Sequence, residues 1–146
     1  MTAIDIDKIL DEARVLGCSD LHFTNQIAPV VRLNGALRKL SSYDIMDEET
    51  IMDVAEKIIP DEMKKRLYAH LDCDFSYVTK RGYRHRVNVF RQREHAAIAI
   101  RLLRNDIPTL EDLLLPPILA DFAMRPRGLV LVTGPTGSGK STTLAA

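Results

Sequence analysis

The stretch GLVLVTGPTGSGKSTTLAA, residues 128–146, decides how the chain is read. Gly134-Pro135-Thr136-Gly137-Ser138-Gly139-Lys140-Ser141 fits G-x-x-x-x-G-K-[ST] at every fixed position. Leu129 to Val132 is a branched, apolar run of the kind that forms a buried parallel strand, and Thr142 onward lacks Gly and Pro and can open a helix. Strand, loop and helix are the context this motif requires. Glycines let the backbone turn sharply and approach a ligand closely. Consecutive N–H groups then converge on anionic oxygens, helped by the start of the following helix. Gly134 to Thr142 is therefore expected to cradle the phosphates of ATP. Lys140 would reach the β- and γ-phosphates, and the Ser141 hydroxyl would ligate Mg²⁺. With Gly at about 7% of residues, the four fixed positions match by chance in fewer than about one chain in a hundred.

Composition narrows the class. The chain has 146 residues, 46% of them apolar, so a core can be buried. Lys+Arg and Asp+Glu are both 20, and this balance gives no global sign that would advertise nucleic acid or an anionic membrane. Cys18 and Cys73 fit no metal spacing and read as reduced, partly buried thiols. The N-terminus has neither a basic region nor a long apolar region, so it is not a signal peptide. No apolar run is long enough to span a membrane. The simplest expectation is a cytoplasmic, non-spanning protein that binds no nucleic acid.

The pattern ahead of the loop is mixed α/β. Ile6, Ile9, Leu10, Ala13 and Leu16 keep helical spacing, and Gly17 stands where a C-cap glycine belongs. Asp20–Phe23 reads as a strand. Residues 27–33 and 36–40 read as a hairpin about Asn34-Gly35. Asp47-Glu48-Glu49 opens a helix that Pro60 stops. A second helix is expected over 61–71. Residues 74–79 and 83–91 form a hairpin about Lys80-Arg81-Gly82, and 96–103 is an apolar strand. Asn105-Asp106-Ile107-Pro108 then turns, Thr109–Asp112 caps a short helix, Pro116-Pro117 breaks it, and 118–124 forms one more helix. The domain boundary is expected near 104–110. One strand and a few helical residues cannot bury a core, and a helix that short is marginal. A bare Leu-Val-Leu-Val edge would also invite pairing. The expectation is a fragment of a longer ATPase.

The order of these motifs resembles a known family. CSDLHF (18–23), VVRLNGALRKL (30–40), DCDFSY (72–77), RVNVF (86–90), AIAIRLL (97–103), IPTLEDLLLPPIL (107–119) and the terminal block are similar to the secretion-superfamily ATPases. These are the hexameric motors of type IV pili and type II secretion. The match covers nearly the whole chain. Within the family the chain resembles the retraction branch of twitching motility, the PilT type, because Ser19-Asp20-Leu21-His22 follows so soon after Met1. It departs from the pattern at RQREHAA (91–97), which has no glycine where the family commonly carries one.

The resemblance implies a PAS-like α+β domain over 1–104, a linker with short helices over 105–126, and the truncated start of a RecA-like P-loop domain over 127–146. It implies a homo-oligomer, a hexamer, at the inner face of the cell membrane, with an inner-membrane platform protein as partner. The N-terminal domain would pack on the ATPase domain of the next subunit, with nucleotide at the junction. Arg86 and Arg101 match the arginines that contact phosphates in such motors, as catalytic partners of Lys140. Both stand in strands otherwise suited to burial, where a guanidinium needs an anion; Asp74 would serve as well as ATP. Lys80, Arg81, Arg84, Arg91 and Arg93 read as a solvated ribbon. His22, His70, His85 and His95 are scattered, without metal spacing. Asp72 and Asp74 read as hairpin-start residues or ion-pair partners, and Asp20 as a local cap or pair. The Walker B acid and the water-orienting glutamate are expected beyond Ala146, so the chain alone should not hydrolyse ATP. Two other readings stay open: a pilus-assembly or secretion ATPase, and a non-enzymatic PAS-like adaptor.

Overall fold

A computed structural model describes residues 4–103 and 107–146. The chain divides into two compact units, Met1–Leu103 and Arg104–Ala146. In the first, α1 (Ile6–Val15) is followed by β1 (Asp20–Thr24), β2 (Val30–Leu33), β3 (Ala36–Lys39) and α2 (Glu48–Ile58). A 3₁₀ turn (Asp61–Met63) then leads into α3 (Lys64–Tyr68), β4 (Cys73–Val78), β5 (Arg84–Gln92) and β6 (His95–Leu102). The strands form one antiparallel sheet in the order β3-β2-β1-β6-β5-β4. This is the expected α/β class.

Local chemistry explains the boundaries. The Asp5 carboxylate caps α1 by accepting from the N–H groups of Asp7 and Lys8. Gly17 follows α1 with φ 75, a left-handed value that glycine takes without strain. Asp47 caps α2 by accepting from the Thr50 N–H. Leu33 pairs with Ala36, so Asn34 (φ 51) and Gly35 (φ 82) make the two-residue hairpin turn that their sequence announces.

The core lies between α1, α2 and one face of the sheet. Ile9, Leu10, Ala13, Ile51, Val54 and Ala55 from the helices meet Leu21, Phe23, Val31, Val87, Val89, Ile98 and Ile100 from the strands. Strand side chains alternate between faces. Asp20, His22, Arg32, Asp74, Arg86, Asn88 and Arg101 therefore share the opposite, open face. The helices lie on one side of the sheet, as a PAS-like domain requires.

Four expectations change. The strand expected from residue 27 begins at Val30: Pro29 has no N–H for a ladder, and Ile27 bridges Met46 instead. The helix expected over 61–71 is the 3₁₀ turn plus α3, ended at His70, whose φ is 58. Thr109 and Asp112 exchange the expected capping bonds, at 2.9 and 3.1 Å, but only a turn forms, and Leu114 has φ 55. Leu129–Val132 is not a strand; Leu129 is 82% exposed, for no neighbouring strand offers it a ladder among the described residues. The expected helix near 118–124 is α4 (Ile118–Ala123), and α5 is Lys140–Ala145. Asn105 and Asp106 of the expected turn lie outside the described residues. Among the described residues, no helix is long and apolar enough to cross a membrane.

Candidate functional site

Two separate groups of residues carry the site chemistry. The first is the glycine-rich loop. Gly134, Gly137 and Gly139 have φ values of 153, 82 and 90, all of which L side chains rarely adopt. A Cβ on Gly134 would lie 2.6 Å from the Ser138 hydroxyl oxygen, so the loop closes on itself where a side chain would stand. Pro135 and Ser138 are tied by a backbone bond of 3.2 Å. Gly139 is the cap residue of α5, and its carbonyl accepts the first helical bond, from Thr143, at 2.9 Å. The Lys140 ammonium folds over the loop and donates to the carbonyls of Gly134 (2.9 Å) and Pro135 (2.8 Å). Thr136 lies within the loop, and Ser141 and Thr142 stand in the first turn of α5. The donor set fits a polyphosphate: backbone N–H groups, one ammonium beside them, and a hydroxyl of the kind that ligates Mg²⁺.

The second group lies on the open face of the sheet. Arg86 on β5 and Arg101 on β6 are directly cross-strand. Their side chains are 66% and 67% exposed, so the burial expected for them does not occur. The reason is strand alternation: Val87 and Ile100, their neighbours, take the inward positions. Each arginine has a carboxylate. Asp74 accepts from Arg86 Nε at 3.1 Å and from Nη2 at 2.5 Å, the fork-to-carboxylate pairing that fixes a guanidinium plane. Arg101 donates through Nε to Asp20 Oδ1 at 3.3 Å.

Asp20 also holds Arg32, whose Nε lies 3.4 Å from Oδ2, and accepts from the Ser19 hydroxyl at 2.8 Å. Partial burial pushes the Asp20 carboxyl up, but the hydrogen bonds from Ser19 and Arg101 outweigh it and hold the group below the usual carboxylate range. Hydrogen bonding to Arg86 does the same for Asp74. Burial pushes His22 below the ordinary imidazole value, against the opposing charge of Asp20. Asp20, His22, Arg32, Asp74, Arg86 and Arg101 line a depression of about 390 Å³.

Sequence reasoning missed Arg32 and the bridging role of Asp20. The signal was present. The hairpin at Asn34-Gly35 fixes the β2 register, Val31 faces inward, and Arg32 must then face out beside Asp20. It also missed His85, which is fully buried between the core and Arg14. Lys80 and Arg81 pair with Asp7 and Asp11 of α1 rather than forming part of a free ribbon.

Comparison with known proteins matches this architecture. A family model described as type II/IV secretion system protein matches residues 1–146. The type IV pilus retraction ATPase PilT of Pseudomonas aeruginosa is 36% identical over 143 residues, covering 98% of this chain and 41% of that protein. A type II secretion system protein E of Aeromonas hydrophila is 31% identical over 159 residues, covering 97% of this chain and 30% of that protein. A crystal structure of the pilus retraction motor PilT with bound ADP superposes with a TM-score of 0.85 at 38% identity, covering 97% of this chain and 41% of that one. The chain thus spans about two fifths of the length of the PilT relatives it matches. With the glycine-rich loop, the antiparallel sheet and the whole-length match together, the chain belongs to the type II/IV secretion system protein family.

Proposed function

We propose that the protein binds and hydrolyses ATP as one subunit of a hexameric motor that retracts type IV pili. The observation that carries this reading is Lys140, whose ammonium lies on the carbonyls of Gly134 and Pro135 at a loop of left-handed glycines. Phosphate oxygens would compete with those carbonyls for the ammonium and gain the loop N–H groups as well. Gly134 to Thr142 hold the phosphates in this proposal, and Ser141 holds Mg²⁺. Bound Mg²⁺ supplies charge neutralisation on the phosphate oxygens. The protein's own part is positioning and fixed positive charge. Arg86 and Arg101 add two guanidinia aimed at the phosphates of a neighbouring subunit's nucleotide. The chain spans about two fifths of the PilT relatives it matches, and hydrolysis is proposed for the full-length protein.

The retraction role rests on the likeness to PilT. The protein would work in the cytoplasm, at the inner face of the membrane, against an inner-membrane platform protein. The likeness to type II secretion proteins favours a second reading, a secretion or pilus-assembly ATPase with the same chemistry. The test is Lys140→Ala in the full-length protein. We expect ATPase activity to be lost while the sheet domain unfolds at its usual temperature; undiminished hydrolysis would remove the nucleotide assignment. Loss of twitching with intact secretion in a strain carrying the variant supports retraction, and the reverse supports secretion.

A further inference from the structure

The open-face depression holds more than the two arginines of the proposed function. A row of residues crosses four adjacent strands in register: Arg32 on β2, Asp20 on β1, Arg101 on β6 and Arg86 on β5. The charges run plus, minus, plus, plus. Like charges placed directly opposite on a sheet repel. Asp74 flanks Arg86 from β4, and Asp20 flanks Arg101 from β1. Three guanidinia thus share two carboxylates, with His22 beside them.

Asp20 is the pivot of this row. Its side chain is only 16% exposed, against 40% for Arg32 and 67% for Arg101. It meets both guanidiniums at Nε, with one carboxylate oxygen each. Arg32 is held a second time, by donation from Nη1 to the Gly35 carbonyl at 3.1 Å, within its own hairpin turn. A shielded carboxylate that grips two arginines by their Nε atoms fixes both side chains. Arg32 and Arg101 are thus drawn toward one another across β1, beside the depression that Arg86 also lines.

We propose that Arg32 is a third phosphate-binding guanidinium of this patch and that Asp20 is the positioning residue that sets Arg32 and Arg101 together. The ligand class is a polyphosphate, the terminal phosphates of a nucleoside triphosphate or the free anion. This rests on the phosphate role given above to Arg86 and Arg101.

The test is titration of this chain with inorganic tripolyphosphate at low salt, followed by calorimetry and by the arginine Nε–H signals in NMR spectra. All variants are made on Lys140→Ala, which removes the glycine-rich loop from the count. We expect Arg32→Gln to weaken binding about fivefold, the scale of one charge-assisted contact at a partly exposed site. Arg38→Gln, an exposed control on β3, should leave affinity unchanged. Asp20→Asn removes a negative charge beside an anion, so charge alone predicts tighter binding. Positioning predicts the opposite: weakening of about threefold, broadened Arg32 and Arg101 signals, and recovery in Asp20→Glu. Wild-type affinity in Arg32→Gln overturns the third-arginine assignment. Tighter binding in Asp20→Asn overturns the positioning role. If Arg86→Gln and Arg101→Gln also bind as the parent does, the phosphate role of the whole patch fails with it; if they lose binding while Arg32→Gln does not, only the present inference fails. Titration with ATP in place of tripolyphosphate separates a nucleotide from a free polyphosphate.

Discussion

Arg86 and Arg101 stand directly opposite one another on β5 and β6, and each is turned to a different carboxylate, Asp74 and Asp20. Two cations in cross-strand register are a local repulsion. An anion lying between them relieves it, whereas a purely structural pair would gain from replacing one arginine with a neutral residue. Their exposure makes the second half of this statement testable. Surface ion pairs contribute about 1 kcal/mol or less. Arg101→Ala should therefore shift the unfolding temperature by at most a few degrees. If the proposed phosphate role of Arg101 holds, the variant should reduce kcat of ATP hydrolysis in the full-length protein by an order of magnitude or more, since an arginine acting on a transferred phosphoryl group is worth about 10³–10⁵ in rate. Differential scanning calorimetry and a steady-state assay read the two quantities. A large drop in unfolding temperature with unchanged kcat would make Arg101 structural.

The β5–β6 turn gives a stability prediction that is independent of function. Gln92 pairs with His95, so Arg93 and Glu94 alone make the turn, with φ values of 50 and 68. The hairpin has kept its two-residue geometry despite lacking the glycine that the motif pattern leads one to expect. Side chains larger than Gly or Asn are strained there, at about 1–2 kcal/mol per residue. Arg93→Asn with Glu94→Gly should stabilise the domain by about 1 kcal/mol and raise its unfolding temperature by about 4–8 °C. An unchanged or lowered temperature would mean that Arg93 or Glu94 makes contacts that offset the strain.

Local signals made most of the sheet domain legible in the sequence. Gly17, Asn34-Gly35, Asp47 and Pro60 each act within a few residues, and the elements follow them closely. The open face was misread because burial is a tertiary property. Arg101 follows the apolar run Ala96–Ile100, yet alternation turns it outward, while Ile98 and Ile100 go in. Leu129–Val132 shows the opposite error. Its composition suits a buried strand, but a strand exists only with a neighbour to bond, and no such neighbour lies among the described residues. The turns of the glycine-rich loop were readable because glycine spacing encodes backbone shape directly, and Gly134, Gly137 and Gly139 all take positive φ.

Gly134 tests the loop without touching Lys140. Its φ is 153, and a methyl group placed on its Cα would meet Ser138 Oγ at 2.6 Å, which leaves no room for a side chain. Gly134→Ala should lower affinity for Mg·ADP in the full-length protein by on the order of tenfold or more, the equivalent of about 1–3 kcal/mol of backbone strain. Fluorescent-nucleotide titration reads the affinity, and unfolding of the sheet domain should not change. Ser138→Gly added to Gly134→Ala removes the clash but not the φ strain, so recovery should be partial. Full wild-type affinity in Gly134→Ala would show that the loop opens on binding.

His85 supplies a pH dependence with a definite sign. It points into the core from β5 with 0% exposure, and neither ring nitrogen has a hydrogen-bond partner among the described residues. Burial, reinforced by the charge of Arg14, lowers its pKa from 6.5 to about 4, while Asp11 and Asp7 oppose the shift. The folded domain therefore holds a neutral imidazole that the unfolded chain would protonate. Its contribution to stability is fully present above pH 6.5 and is lost as the pH falls from 6.5 toward 4. The slope within that window approaches about 1.4 kcal/mol per pH unit. The carboxylates held low, Asp20, Asp47 and Asp74, have shifts that lie below their ordinary value of 3.8 and so act at more acid pH. His85→Phe keeps an aromatic ring in the core and removes the titration. Urea unfolding at pH 7 and at pH 5 should show the wild-type protein losing more stability than His85→Phe between the two. Equal losses would mean that the imidazole gains solvent or a partner when protonated, and that burial does not hold it neutral.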